Sequence, residues 1–184
     1  MRKPLTKTLL DETLKALSRE THGEGSVYLT GGASAVVEGW RDATLDIDLK
    51  IDPEPQGIFK AIRSVKRSKK VNIELVSPSD FIPQISGWRE RSIWIDRYGS
   101  LDVFHYDFTS QALSKIERGH DQDIADVHNM LAGRYVSPNE LSCGFNLIRD
   151  RLIYYPRLIE EHFEQRLQEA LTLWEQQQGD QSET

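Results

Sequence analysis

The sequence predicts an α+β fold: a small mixed β-sheet core flanked by helices, with a helical C-terminal section. Three observations predict it. Short runs rich in β-formers, "SVYLT", "ATLDIDLKI", "KVNIELVS" and "SIWIDRYGSLDVFHYD", fall in the first 108 residues. Segments with helical spacing separate most of them. Beyond residue 108 only helical spacing recurs. The expected organisation is therefore a core over residues 1–108 and a helical section over 109–184 packed on it.

In chain order, Leu5, Leu9, Leu10, Leu14 and Leu17 mark the buried stripe of a first amphipathic helix. Its apolar residues recur at helical spacing, unlike the solid block of a secretory signal. "GEGS" ends that helix and "SVYLT" is a short strand. "ASAVVEGW", after Gly31-Gly32, reads as a second helix. In "ATLDIDLKI", Leu45, Ile47, Leu49 and Ile51 alternate with Thr44, Asp46, Asp48 and Lys50, the period of a half-buried strand. "DPEPQ" breaks the chain before a helix over residues 56 to 66. "KVNIELVS" is the next strand, "PSDFIPQISGW" a turn and short helix, and Tyr98-Gly99 the turn of a hairpin.

Three helical stretches follow. The first is "TSQALSKIERGHDQDIADVHNMLAG". The second, "SPNELSCGFNLIRDRLIYY", has Ser137 and Pro138 as cap and first turn. The third carries Leu158, Phe163, Leu167, Leu171 and Trp174 on one stripe, read as packed core. The tail "GDQSET" is expected to fray.

The 184 residues, 38% hydrophobic and 28% charged, describe a globular chain with a core of its own. There is no run of eighteen apolar residues to span a membrane. Cys143 is the single cysteine, so no internal disulfide forms, and a reducing cytoplasm is expected. A net charge of −6 argues against broad attraction to nucleic acid. Residues 60 to 70, "KAIRSVKRSKK", nonetheless hold six Lys/Arg and no acid; they form either a solvated helix end or a local electropositive rim.

The chemistry concentrates in "VYLTGGASAVVEGWRDATLDIDLKID". Asp46 and Asp48, two apart on a strand, project from one face and can converge on a metal ion. An isolated pair of this kind is more often the solvent side of an edge strand. Here Gly31 and Gly32 follow a strand and open a helix whose first turn includes Ser34. Such a turn lets backbone N–H groups approach a phosphate at a helix N-terminus. Trp88, Arg89, Arg91 and Trp94 interleave aromatic and basic residues, with Trp94 expected in the core and the arginines at the surface. His105, His120 and His128 read as structural histidines.

"GGASAVVEGWRDATLDIDL" resembles the signature of the DNA polymerase beta-type nucleotidyltransferase superfamily: a glycine pair with a serine, then an acid–x–acid strand. "QALSKIERGHDQDIADVHNML" is similar to a helical motif of bacterial minimal and abortive-infection-type nucleotidyltransferases, including toxins of toxin–antitoxin pairs. The resemblance covers roughly residues 25 to 132. It implies a site for NTP and Mg²⁺ (or Mn²⁺), with Asp46, Asp48 and a third acid as metal ligands and catalytic groups. Glu74 in "VNIELVS" fills the third role, with Asp102 as competitor. Gly31, Gly32 and Ser34 would hold phosphate. Lys115 would contact the triphosphate, with Arg118 beside it in that role, while Asp123 and Asp126 brace these cations or shape the site. The implied reaction moves NMP to a hydroxyl of RNA (a tRNA) or protein, with a cognate toxin or antitoxin as a further partner. A non-catalytic NTP- or partner-binding module is the alternative the resemblance leaves open.

Overall fold

The computed structural model describes residues 4–182. The chain divides into two compact units, the first running to Ser77 and resuming over Arg89–Asp107, the second comprising Pro78–Trp88 and the chain from Phe108 onward. The elements of the first unit are α1 (Lys7–Glu20), β1 (Gly25–Thr30), α2 (Gly31–Glu38), β2 (Asp46–Ile51), α3 (Ile58–Lys69) and β3 (Asn72–Glu74). The chain re-enters this unit through the short helix α4 (Trp88–Arg91) and adds the hairpin of β4 (Ile93–Tyr98) and β5 (Leu101–His105).

The five strands form one mixed sheet in the order β3-β2-β1-β5-β4. Strands β1 and β2 are antiparallel, as are β4 and β5, whereas β1–β5 and β2–β3 are parallel. The sheet is two-sided because side chains alternate along each strand. Val27, Leu29, Ile47, Leu49, Ile73, Leu101 and Val103 point into a core that also takes Leu10, Leu14 and Leu17 of α1 and Ala61 and Val65 of α3. The opposite face carries the polar partners of the same alternation, Asp46, Asp48, Asn72 and Glu74 among them.

Two expectations about the leucine stripes need correction. Leu5 is buried but precedes α1; it pairs with Thr44 in an isolated antiparallel bridge, and Thr6 caps the helix by accepting from the Leu9 N–H. Leu45 is 71% exposed, because the β2 ladder begins at Asp46 and the alternation does not extend back to it. Leu75 is likewise exposed, since β3 is only three residues long and ends at Glu74. The helix expected over 56 to 66 starts after Gly57 and runs to Lys69, with both flanking residues at positive φ.

In the second unit, the first expected helical stretch is two helices, α5 (Phe108–Arg118) and α6 (Asp121–Ala132). Gly119, at φ +68°, ends α5 in the left-handed conformation that glycine adopts without strain. Helix α7 (Pro138–Ile148) opens with a full capping box between Ser137 and Glu140 and passes into a 3₁₀ turn at Arg149–Tyr154. Helix α8 (Glu160–Ser182) follows. Its Phe163, Leu167 and Leu171 are buried and Trp174 is half-buried, while Leu158 lies before the helix. The tail read as frayed is helical through Ser182, and its last two residues lie outside the described ones. No helix among the described residues is long and apolar enough to cross a membrane.

The register of β2 makes a direct test. Leu49→Ala should destabilise the protein by about 2–5 kcal/mol, the range for deleting a buried leucine, whereas Leu45→Ala should stay within about 0.5 kcal/mol. Urea unfolding of both variants checks this; equal losses would mean that the strand starts earlier than described.

Candidate active site

The polar face of the sheet gathers most of the residues singled out in the first unit. Across β2 and β3, Asp46 stands opposite Asn72 and Asp48 opposite Glu74; across β2 and β1, Asp48 stands opposite Thr30. The order Thr30–Asp48–Glu74 is thus one cross-strand row, with Asp46–Asn72 beside it. Asn72, buried at the base of this group, donates its side-chain amide to Asp46 Oδ1 at 2.8 Å and to Glu74 Oε1 at 2.5 Å. One neutral donor thereby links two carboxylates. Asp46 and Asp48 are half-buried, and Glu74 is exposed.

The glycine pair meets this row at the start of α2. Gly31 has φ +56°, and a Cβ there would lie 3.2 Å from Asp48 Oδ2. Backbone and carboxylate are therefore immediate neighbours, an approach that glycine permits at both levels. A Cβ on Gly32 would fall 2.2 Å from Thr44 Oγ1 and 3.4 Å from Arg41 Nη1. The N-terminus of α2 has no acidic residue in its first turn, and Thr30 makes no side-chain cap bond. Its N–H dipoles suit an anion. Ser34 takes a different place. It is fully buried, and its hydroxyl donates to the Leu29 carbonyl at 3.0 Å, so it ties α2 to β1 from within.

Asp102 lies two strands from β2, opposite Ser26 and Arg97, with Arg97 Nη1 3.8 Å from its carboxylate. The sheet thus brings Glu74, and not Asp102, beside Asp48. Arg41, close to the glycine turn, escaped the sequence reading because a single arginine in a loop carries no periodic signal. The basic run sits on α3, whose buried residues face the helix side of the sheet, opposite the acids. Lys66 donates to the Ile73 carbonyl and Lys69 pairs with Glu12.

Among the arginines and aromatics, Arg91 forms a two-bond pair with buried Asp107, at 3.1 and 2.9 Å. Arg89 pairs with Asp52. Trp88 is buried, but Trp94, expected in the core, is 56% exposed because it sits on the edge strand β4 beside a bulge. His105 is buried with its Nε2 2.6 Å from Glu38 Oε1; burial holds the imidazole below its ordinary pKa, against the pull of Glu38. His120 precedes α6 and makes no cap bond, and His128 lies 6.3 Å from the Trp174 ring.

In the second unit, Lys115, Arg118, Asp123 and Asp126 form one ion cluster. The Lys115 ammonium is buried and donates to Asp126 Oδ2 at 2.6 Å and Asp123 Oδ1 at 3.1 Å. Arg118 donates twice to Asp123, at 3.0 and 2.8 Å, and its guanidinium lies over the Phe81 ring. The two acids brace the two cations, and Arg118, 30% exposed, is the cation with access to solvent.

Could these residues hold a metal? Asp46 and Asp48 offer hard carboxylate oxygens on one face, which suits Mg²⁺, an ion commonly held by one or two carboxylates plus substrate phosphates. No group of three or more His, Cys, Asp or Glu side chains converges as a metal cage among the described residues. The donors fit a shared substrate ion better than a resident structural one. Two cavities, of about 670 and 430 Å³, are lined by none of these acids, one by His128 and Trp174 of the second unit and the other, in the first unit, by residues of α1 and β4.

The mixed sheet thus sets a glycine-opened helix beside a strand that carries paired acids. Residues 7–171 match the family described as a nucleotidyltransferase of unknown function (DUF6036), and the chain belongs to that family. No curated protein and no solved structure matches it.

The ion cluster sets an acid limit to stability. Burial raises the Asp123 carboxyl, but the Arg118 hydrogen bonds and the charges of Lys115 and Arg118 outweigh it, so its pKa falls below the ordinary 3.8. A depressed folded pKa gives stability that is complete above the unfolded value and lost as pH falls through the folded one. Melting temperature should therefore drop on acidification below about pH 4, and Asp123→Asn should lower it at pH 7 while flattening that acid limb. A variant with an unchanged acid limb would exclude Asp123 as the group responsible.

Proposed function

We propose that this protein transfers a nucleoside monophosphate from an NTP to a hydroxyl of RNA, such as a tRNA end, or of protein, releasing pyrophosphate. The observation that carries this reading is the register placing Asp48 between Thr30 and Glu74, with Gly31 against the Asp48 carboxylate. The backbone at Gly31 and Gly32, rather than the buried Ser34 hydroxyl, would cradle phosphate at the α2 N-terminus. Arg41 stands near enough to the turn to offset phosphate charge. Glu74, its carboxylate oriented by Asn72, would take the proton of the acceptor hydroxyl as its oxygen attacks the α-phosphorus. The new O–P bond forms while the bond from the α-phosphorus to the bridging oxygen breaks, and that oxygen leaves with its electron pair on pyrophosphate. Magnesium, or manganese in its place, held by Asp46 and Asp48 with Glu74 nearby, would supply Lewis-acid charge to the phosphate oxygens.

A second reading, a non-catalytic NTP- or partner-binding module on the same fold, is favoured by the absence of a converged three-acid group among the described residues. The role of toxin or antitoxin belongs to this proposal too; growth arrest by the wild type, relieved by Asp48→Asn, would support a toxin.

Incubation with each α-³²P NTP, magnesium, and total RNA or protein should label one macromolecular fraction. Asp46→Asn and Asp48→Asn should each lower that label by roughly 10²-fold or more, with an unchanged circular dichroism spectrum. NTP binding without any label transfer would favour the binding module instead.

A further inference from the structure

Trp94 is the exposed end of a cross-strand row. In register, Trp94 of β4 stands opposite Phe104 of β5, Phe104 opposite Tyr28 of β1, and Tyr28 opposite Lys50 of β2. The Tyr28 and Phe104 rings are stacked, with centroids 5.0 Å apart, and Tyr106 meets Tyr28 edge-on at 6.4 Å. Alternation puts this row on the same face as Thr30, Asp48 and Glu74, two residues away along β1. The inner rings are mostly covered, with Tyr28 6% exposed, but Trp94 is 56% exposed. Edge strands that present large apolar side chains invite aggregation unless something uses them. Here the exposed indole continues an aromatic platform that ends in a cation and borders the acids.

We propose that Trp94 stacks an unpaired base of a single-stranded polynucleotide acceptor, an inference that rests on the nucleotidyl-transfer reading of the acid face. Aromatic side chains on a sheet bind single strands in this way, because every base offers a π-face. The position selects the polynucleotide over the NTP. Three strand spacings, roughly 14 Å, separate β2 from β4. A nucleoside held through its α-phosphate beside Asp48 does not extend its base across that width; a strand of several nucleotides does. The base at Trp94 therefore belongs to a nucleotide some way back from the reacting hydroxyl. The negative net charge and the ion pairs of Arg89, Arg91 and Arg97 make stacking, more than phosphate contact, the source of affinity here.

The test is binding of fluorescein-labelled oligoadenylate, as RNA and as DNA, measured by anisotropy with the full chain and no NTP present. Trp94→Ala should weaken binding about tenfold, and Trp94→Phe should recover most of it. Equilibrium binding of ATP should be unchanged in both variants. Unaltered oligonucleotide affinity in Trp94→Ala would overturn the proposal. So would a parallel loss of ATP affinity, which would assign the base to the NTP. Asp48→Asn separates the two readings: it should keep Trp94-dependent binding while losing transfer. Trp94-dependent binding in a protein that transfers no label would leave this site standing and remove the catalytic one.

Discussion

The two-sidedness of β2 is the constraint on which the first unit depends. Ile47 and Leu49 are buried to within 1% of full coverage, and their burial holds Asp46 and Asp48 on the other face. A slip of one residue would exchange the two sets, placing carboxylates in the core and leucine and isoleucine in water. Because β2 lies between β1 and β3, its register also decides what stands beside the acids: Thr30 and the glycine turn on one side, Asn72 and Glu74 on the other. The geometry of the polar face is thus enforced by apolar packing behind it. The helices α1 and α3 take no direct part in the site, yet they close the core that keeps the strand in register.

The second unit rests on a different balance. A buried ammonium is costly unless it is paired and hydrogen-bonded. Lys115 has two carboxylates, and Arg118 supplies the second positive charge that leaves the four groups neutral as a set. The break at Gly119 makes this possible. By ending α5 directly after Arg118, it lets α6 return with Asp123 and Asp126 on the side of Lys115. The residues that resemble a triphosphate-binding motif in the sequence are thus joined in one ion network, in which Arg118 is more exposed than Lys115.

Period-two alternation and the hairpin at Tyr98-Gly99 were legible in the sequence because each rests on local chemistry. The paired acids and the glycine turn were legible for the same reason. What lay beyond reach depended on partners distant in the chain. Nothing local says that the β2 ladder begins at Asp46 and leaves Leu45 outside, since that is decided by pairing with Asn72. The inward turn of Ser34 depends on the Leu29 carbonyl being within reach across the strand–helix junction. Glu74 could be separated from Asp102 only by strand order, which places one beside β2 and the other two strands away. Trp94 shows the converse: its composition reads as core, and only its place on an edge strand exposes it.

Asn72 explains how three acids can share one face without a cage. Three carboxylates in adjacent positions repel one another. An amide between Asp46 and Glu74 places two N–H donors between these two carboxylates, and it carries no charge of its own. An aspartate at 72 would add a fourth acid to the face and remove the donor. The asparagine instead holds Asp46 and Glu74 on either side of one amide and ties down one of the two Glu74 oxygens. Orientation by a neutral neighbour leaves the charge of the acidic face uncompensated from within this group.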